Sequence, residues 1–259
     1  MQKITIKKIL QSKNKVPIAC LTAYSKNTSK IVDKYSDIIL VGDSLGMVLY
    51  GMKTTKDVKI ETMILHAKAV KSAAKRSLVV VDMPYKTYTN KFVAYKNAKR
   101  VMKLTNCDAV KLEGGEKITN IIKHLIKNKI PVMGHIGLLP QSTKRFKVKG
   151  RSLIEKKKIL KDAIAISDSG VFAIVIECVL ESLAKIITKN VPIPTIGIGA
   201  SKFCDGQILV IDDMLGLGDS APKFVKKYAN LNKVMQVSVK NYVKDVKERK
   251  FPNLKNVYK

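Results

Sequence analysis

No apolar run in the sequence approaches the ~20 residues needed to cross a bilayer, which argues against a membrane-spanning chain. The basic opening stretch, MQKITIKKILQSKNK, lacks the continuous apolar segment of a secretory signal. Ile4, Ile6, Ile9 and Leu10 suggest a short amphipathic helix there instead. Cysteine is scarce. Cys20, Cys107, Cys178 and Cys204 include no Cys-x-x-Cys pair, so their spacing suits neither a zinc site nor a disulfide framework. Reduced core cysteines, and with them a cytoplasmic location, are expected. There is no Gly/Ser/Pro-rich linker and no internal repeat beyond a strand–helix unit, so residues 1–259 are expected to form a single domain.

Acids are also scarce: 20 Asp+Glu face 49 Lys+Arg, a formal net charge of +29. Such a balance suits nucleic-acid or membrane-surface binding when the bases are clustered. Here the lysines are spread along the whole chain, with no terminal basic arm and no interleaving of aromatic and basic residues. A basic nucleic-acid-binding protein is therefore a remote alternative. The expectation is a lysine-rich solvated surface, with no nucleic acid or membrane as partner, whose field attracts anionic metabolites.

What the chain has in quantity is short, β-branched apolar runs. They are PIACLTAY (17–24), IILVGDS (38–44), LVVVDMP (78–84), AVKLEGG (109–115), PVMGHIGL (131–138), AIVIECV (173–179), IPTIGIGA (193–200) and GQILVID (206–212). Nearly continuous runs of this kind read as parallel strands buried on both faces. Between most of them lie helical patterns. In 60–75, Ile60, Met63, Ile64, Ala67, Val70 and Ala74 share one face, and 91–104, 116–127 and 153–168 behave alike. Eight strands alternating with helices predict an α/β fold, a (β/α)8 TIM barrel with short helical extensions over about 1–15 and 236–259. The stretch SKFCDG between the last two runs leaves little room for a helix.

The few acids recur at one position. Asp43, Asp82, Glu113 and Glu177 end the second, third, fourth and sixth strands. In a barrel the C-terminal strand ends form a single rim, where active sites of this fold lie. The period-2 alternation places Ile39, Val41 and Asp43 on one face, Lys111 and Glu113 on another, and Ala173, Val175 and Glu177 on a third. Several carboxylates converging near an apolar barrel cannot all ionise without a partner. A divalent cation of the Mg²⁺ or Mn²⁺ kind suits an all-oxygen set. Each residue alone has a plainer reading: Asp43 as a helix cap, Glu113 as a turn residue before Gly114-Gly115, Lys111 as half of a structural ion pair. His135 ends the fifth strand and faces the same rim, whereas His66 and His124 fall in helical segments and carry no functional signal. The glycines of GIGA (197–200) read as allowing close backbone approach.

The stretches LTAY, ILVGDSLGMVLYG, VVDMPY, AVKLEGG, PVMGHIGLLPQS, IVIECV and IPTIGIGASKFCDGQILVIDDMLGL, in this order over about residues 3–250, resemble the ketopantoate hydroxymethyltransferase (3-methyl-2-oxobutanoate hydroxymethyltransferase) family. The resemblance implies a (β/α)8 barrel and a reaction. A one-carbon unit passes from 5,10-methylenetetrahydrofolate to 3-methyl-2-oxobutanoate, giving 2-dehydropantoate on the route to pantothenate and coenzyme A, by way of a Mg²⁺-stabilised enolate. It further implies that Asp43, Asp82 and Glu113 form the Mg²⁺ environment. Asp43, Ser44, Asp82 and Lys111 contact the keto acid, Glu177 is the acid/base residue, and the protein is a homo-oligomer, typically a decamer. The chain departs from the family pattern in three places. Ser25 follows Tyr24 where an aspartate is usual, Ser201 replaces a glycine, and the 141–152 loop, QSTKRFKVKGRS, is shorter and more basic. The rival within enzymes is a phosphoenolpyruvate mutase/isocitrate lyase-type barrel, which also acts on small keto acids with Mg²⁺. The KKCGH-like segment expected of that type is missing.

Overall fold

The computed structural model describes residues 2–143 and 147–258; Lys144, Arg145 and Phe146 of the basic loop lie outside the described residues. The chain divides into two compact units, Met1–Val210 and Ile211–Lys259.

The first unit is a closed barrel of eight parallel strands in sequential order, β1 pairing with β8 to complete the ring. In chain order the elements are α1 (Ile6–Gln11), β1 (Ile18–Thr22), α2 (Lys26–Tyr35), β2 (Ile38–Val41), α3 (Leu45–Val48) and α4 (Ile60–Ala73). There follow β3 (Leu78–Asp82), α5 (Lys91–Thr105), β4 (Ala109–Glu113), α6 (Thr119–Lys127) and β5 (Val132–Gly137). α7 (Leu153–Asp168), β6 (Ala173–Glu177), α8 (Glu181–Asn190), β7 (Thr195–Ile198) and β8 (Gly206–Leu209) complete the unit. The (β/α)8 expectation holds, and SKFCDG joins β7 to β8 without a helix. The N-terminal extension is helical only over α1, whose cap Thr5 accepts a hydrogen bond from the Lys8 amide.

One apolar cluster fills the barrel and takes side chains from all eight strands. Ile18, Cys20, Ile38, Leu40, Leu78, Val80, Ala109, Met133, Ala173, Val175, Ile196 and Ile208 point inward, and Ile4 and Ile9 join them. Removing each large member from water is worth roughly 1.5–3 kcal/mol. The period-2 alternation then sends Ile39, Val41, Val79, Val81, Val110, Ile174 and Ile176 outward toward the helices, all buried as well.

At the N-terminal ends of the strands, aspartates do structural work. Asp37, Asp108 and Asp205 each precede a strand, and each accepts the backbone N–H of a residue at the start of the preceding strand: Ala19, Val79 and Thr195 respectively, at 2.8–3.0 Å. Each also pairs with a base: Arg76 with Asp37, Lys3 and Lys71 with Asp108, Lys13 with Asp205. Asp33, inside α2, accepts from the amides of Lys75, Arg76 and Ser77 and so ties α2 to the approach to β3. These bonds to the charged form hold the Asp33 carboxyl below its usual range although burial pushes the other way.

The second unit contains α9 (Ile211–Leu215) and α10 (Leu231–Lys247). The C-terminal helix thus starts before residue 236, where Asn230 caps it by accepting from the Lys233 amide, and ends at Lys247. Within this unit Tyr228 donates its amide to the Met214 carbonyl, and Tyr242 meets Phe251 edge to face at 5.7 Å.

Asp205 is the most heavily used of the strand-start acids, accepting also from the Asn14 amide and the Thr195 hydroxyl. Asp205→Ala takes the ion-pair partner from Lys13, which keeps only the Thr188 carbonyl, and the acceptor from the Asn14 and Thr195 amides, and is expected to cost about 3 kcal/mol. Urea unfolding checks this; a loss below about 1 kcal/mol would show that the network is dispensable.

Candidate active site

At the opposite end of the barrel the strand ends bring Asp43, Asp82, Lys111, Glu113, His135 and Glu177 together. All except Glu177 are almost fully buried, and the Glu177 side chain retains 16% exposure. Register accounts for the arrangement. Asp82 lies beside Lys111 across β3–β4, Glu113 beside His135 across β4–β5, and Glu177 beside Gly137 across β5–β6. Lys111 continues the inward row of Ala109, and Glu177 that of Ala173 and Val175, as the alternation required.

Asp43 reaches the site by another route. Ile38 and Leu40, not Ile39 and Val41, face the barrel interior, so strand parity does not aim Asp43 inward. The strand ends at Val41 and the chain turns at Gly42. A Cβ on Gly42 would stand 2.9 Å from Ser44 Oγ and 3.5 Å from Asp82 Oδ2, so glycine lets the turn press against β3. The Asp43 amide then donates to Asp82 Oδ2 at 3.0 Å. Ser44, not Asp43, occupies the N-cap position of α3, which removes the capping explanation for Asp43. Glu113 is likewise an inward strand residue. The turn role falls to Gly114, whose φ of +143° few side chains tolerate.

The pairings are specific. Lys111 Nζ lies 2.6 Å from Asp82 Oδ1 and 3.3 Å from His135 Nδ1. Glu113 Oε1 is 3.5 Å from His135 Nδ1, and Glu177 Oε2 is 3.5 Å from His135 Nε2. Ser44 Oγ shares a 2.9 Å hydrogen bond with the Tyr24 hydroxyl. Tyr24's carbonyl in turn lies 2.6 Å from His66 Nδ1, and His66 Nε2 is 2.8 Å from the Tyr50 hydroxyl. His66 thus supports Tyr24, the residue after β1 that holds Ser44. Its position in the middle of a helical pattern hid this from the sequence.

Gln141 is the residue the sequence did not single out. It follows Pro140 in the loop after β5 and is 1% exposed. Its side-chain amide donates to Asp43 Oδ2 at 2.8 Å and to the Met83 carbonyl at 3.0 Å. Its backbone N–H donates to Glu113 Oε2 at 3.1 Å, and its Oε1 accepts from the Tyr88 hydroxyl. Along the chain it reads only as a polar loop residue after Pro140, which gave no signal of this role.

The charge balance is lopsided. Four carboxylates face one ammonium, and His135 is held neutral because burial and the neighbouring Lys111 charge push its pKa well below the usual histidine value. Burial pulls Lys111 down, but Asp82, Glu113 and Asp43 outweigh it and the net shift is upward. Burial and the Asp82 charge raise the Asp43 carboxyl to about 7. Burial raises Glu113 well above the carboxylate range and Glu177 to about 8. Among the described residues no three Asp, Glu, His or Cys side chains converge closely enough to hold a metal ion as they stand. Gln141 bonds to both Asp43 and Glu113, and Asp82 is turned to Lys111. The donor set itself nevertheless suits a hard divalent cation: three buried carboxylates whose negative charge a single ammonium does not balance.

Two of the departures find a structural account. Ser25 is the N-cap of α2 and accepts from the Thr28 amide at 3.3 Å, a task serine and aspartate share. Ser201 is buried, donates to Glu181 Oε1 at 3.0 Å and accepts from the Phe203 amide. The basic loop is held where it rejoins the barrel: the Lys149 amide donates to the Cys178 carbonyl, next to Glu177.

The sequence profile described as ketopantoate hydroxymethyltransferase matches residues 3–254. A 3-methyl-2-oxobutanoate hydroxymethyltransferase of Pelagibacter ubique is 54% identical over 97% of this chain and 99% of its own. That of Bartonella tribocorum is 48% identical over 100% and 97%. Among solved structures, 2,3-dimethylmalate lyase, a PEP mutase/isocitrate lyase superfamily member, superposes with a TM-score of 0.64 at 10% identity, covering 98% of this chain and 88% of that one. Phosphonopyruvate hydrolase in complex with oxalate and Mg²⁺ gives 0.61 at 11%, over 99% and 93%. At such identities these two structures speak for the fold alone.

Because the site acids hold protons that the unfolded chain releases, the metal-free protein should lose stability as pH rises between about pH 7 and pH 8. That window lies above the ordinary histidine value and below the thiols. The melting temperature in the presence of a chelator should fall across it. A flat profile would show that these carboxyls are already ionised at neutral pH.

Proposed function

The chain belongs to the ketopantoate hydroxymethyltransferase family, and from that premise we propose that it transfers a hydroxymethyl unit from 5,10-methylenetetrahydrofolate to 3-methyl-2-oxobutanoate. The product is 2-dehydropantoate, and the step belongs to pantothenate and coenzyme A biosynthesis. The observation that carries the reading is the convergence of Asp43, Asp82, Lys111, Glu113 and Glu177 at one end of the barrel, each on the strand end or turn from which its family role would be exercised.

Asp43, Asp82 and Glu113 would hold Mg²⁺. When bound, the metal supplies Lewis-acid stabilisation of negative charge on the keto acid's oxygens. The remaining work falls to the chain. Lys111, cationic and desolvated, offsets the anionic charge of the keto acid and the further charge that develops as C3 loses its proton. Asp43 and Asp82 also lie against the keto acid, and Ser44, held by Tyr24, offers it a hydroxyl. Glu177 is the proton-exchanging group. A carboxyl raised to about 8 populates both protonation states near neutral pH, which suits transfer to or from substrate or folate nitrogen. The interior of the barrel beneath the site is apolar, so the keto acid's reacting carbon meets these charges away from bulk water. The net charge of +29 favours capture of both anionic substrates.

The further features of the reading are a homo-oligomer, a decamer by the family pattern, and a cytoplasmic location. No helix among the described residues is long and apolar enough to cross a membrane, and the four cysteines are free.

The test is direct product analysis with 3-methyl-2-oxobutanoate, methylenetetrahydrofolate and Mg²⁺. Formation of 2-dehydropantoate is expected, and lyase turnover of 2-methylisocitrate with no 2-dehydropantoate formed would overturn the reading. Glu177→Gln should retain keto-acid binding yet lose at least a hundredfold in turnover, the usual share of a general acid–base group. Near-normal turnover in that variant would remove Glu177 from proton transfer.

A further inference from the structure

Gln141 stands where neither substrate chemistry nor barrel packing requires an amide. Every hydrogen-bonding group of its side chain is used. The Met83 carbonyl can only accept, so Nε2 must face it, and this fixes the orientation of the amide. The second Nε2 hydrogen is thereby aimed at Asp43 Oδ2, 2.8 Å away. The Tyr88 hydroxyl, which also lies 3.3 Å from the Glu113 carbonyl and amide, closes the other side by donating to Oε1. Meanwhile the backbone N–H of the same residue reaches Glu113 Oε2. One buried residue thus holds a carboxylate from the β2 turn and another from β4, whose backbones are separated by β3.

We propose that Gln141, anchored by Tyr88 and the Met83 carbonyl, is a positioning residue that presents Asp43 and Glu113 to the divalent cation as oriented ligands. The inference rests on the Mg²⁺ reading above. The physical reason is directional. A carboxylate receiving a hydrogen bond on one oxygen keeps the other for the cation. Without the amide, Asp43 Oδ2 loses its side-chain donor and the carboxylate is free to rotate, while the Asp43 backbone N–H stays bound to Asp82 Oδ2. Both anchors lie in the loop after β3 and Gln141 in the loop after β5, so the clamp also couples these loops to the metal environment.

The test is Mn²⁺ binding to the purified full chain, read by the loss of the free-ion electron paramagnetic resonance signal, alongside the melting temperature. Gln141→Met keeps the volume and removes the side-chain amide that donates to Asp43, leaving the backbone N–H on Glu113. Gln141→Ala removes both. A residue that only fills space would be rescued by methionine. A positioning residue would not, and both variants should bind Mn²⁺ about 10- to 100-fold more weakly than wild type, the range typical when a partner of a metal ligand is removed. Wild-type affinity in a folded Gln141→Met protein overturns the proposal. Tyr88→Phe, which leaves Gln141 in place with only the Met83 anchor, should weaken binding in the same direction. If Gln141→Met does not fold, wild-type affinity in Tyr88→Phe overturns the proposal instead. Failure of the wild-type protein itself to bind Mn²⁺ would overturn the metal reading together with the clamp, whereas binding that no variant weakens overturns the clamp alone.

Discussion

A single buried ammonium organises the catalytic end of this barrel. Lys111 lies midway along β4 with almost no exposure, and its charge is kept only because Asp82, Glu113 and Asp43 surround it. A lone buried cation would shed its proton; this one is held by carboxylates that are themselves in excess. The excess is the functional content. Four carboxylates and one ammonium leave a site short of positive charge, and its protons or a bound cation must make up the difference. Removing Lys111 would leave the acids without a counter-charge; removing the acids would leave Lys111 unsupported.

The two ends of the barrel use the same residue types to opposite effect. At the strand starts Asp37, Asp108 and Asp205 receive backbone N–H bonds and basic partners, so their charges are satisfied. At the strand ends Asp43, Glu113 and Glu177 have few donors and little water, so burial dominates and their pKa values rise. Stability and chemistry are therefore segregated along the barrel axis, which is how one fold tolerates a strained electrostatic site. The ordered donors at one end help offset what the crowded acids cost at the other.

The accessory residues extend the site outward by ordinary hydrogen bonds. His66 supports the Tyr24 backbone, Tyr24 supports Ser44, and Gln141 ties Asp43 to Glu113. These belong to loops and helices far apart in sequence, so each reports only its local pattern when read along the chain. His66 looked like any helical histidine, and Gln141 like a polar loop residue after Pro140. Ser25 shows the converse. It looked like a lost functional acid, and the fold uses it as a helix cap.

The sequence by itself determined the strands, the barrel and which acids sit at strand ends. Those properties follow from local alternation and from repetition of the strand–helix unit. It also placed Lys111 and Glu113 on one inward face, because side-chain parity within a regular strand is a local matter. Parity did not decide Asp43, since β2 stops at Val41 and the Gly42 turn, pressed against β3, sets the direction. Only the tertiary structure decided that turn, the Gln141 bonds and the support from His66. Each depends on atoms brought within about 3 Å from separate β/α units, and hydrogen-bond direction across such gaps is not written in any local pattern.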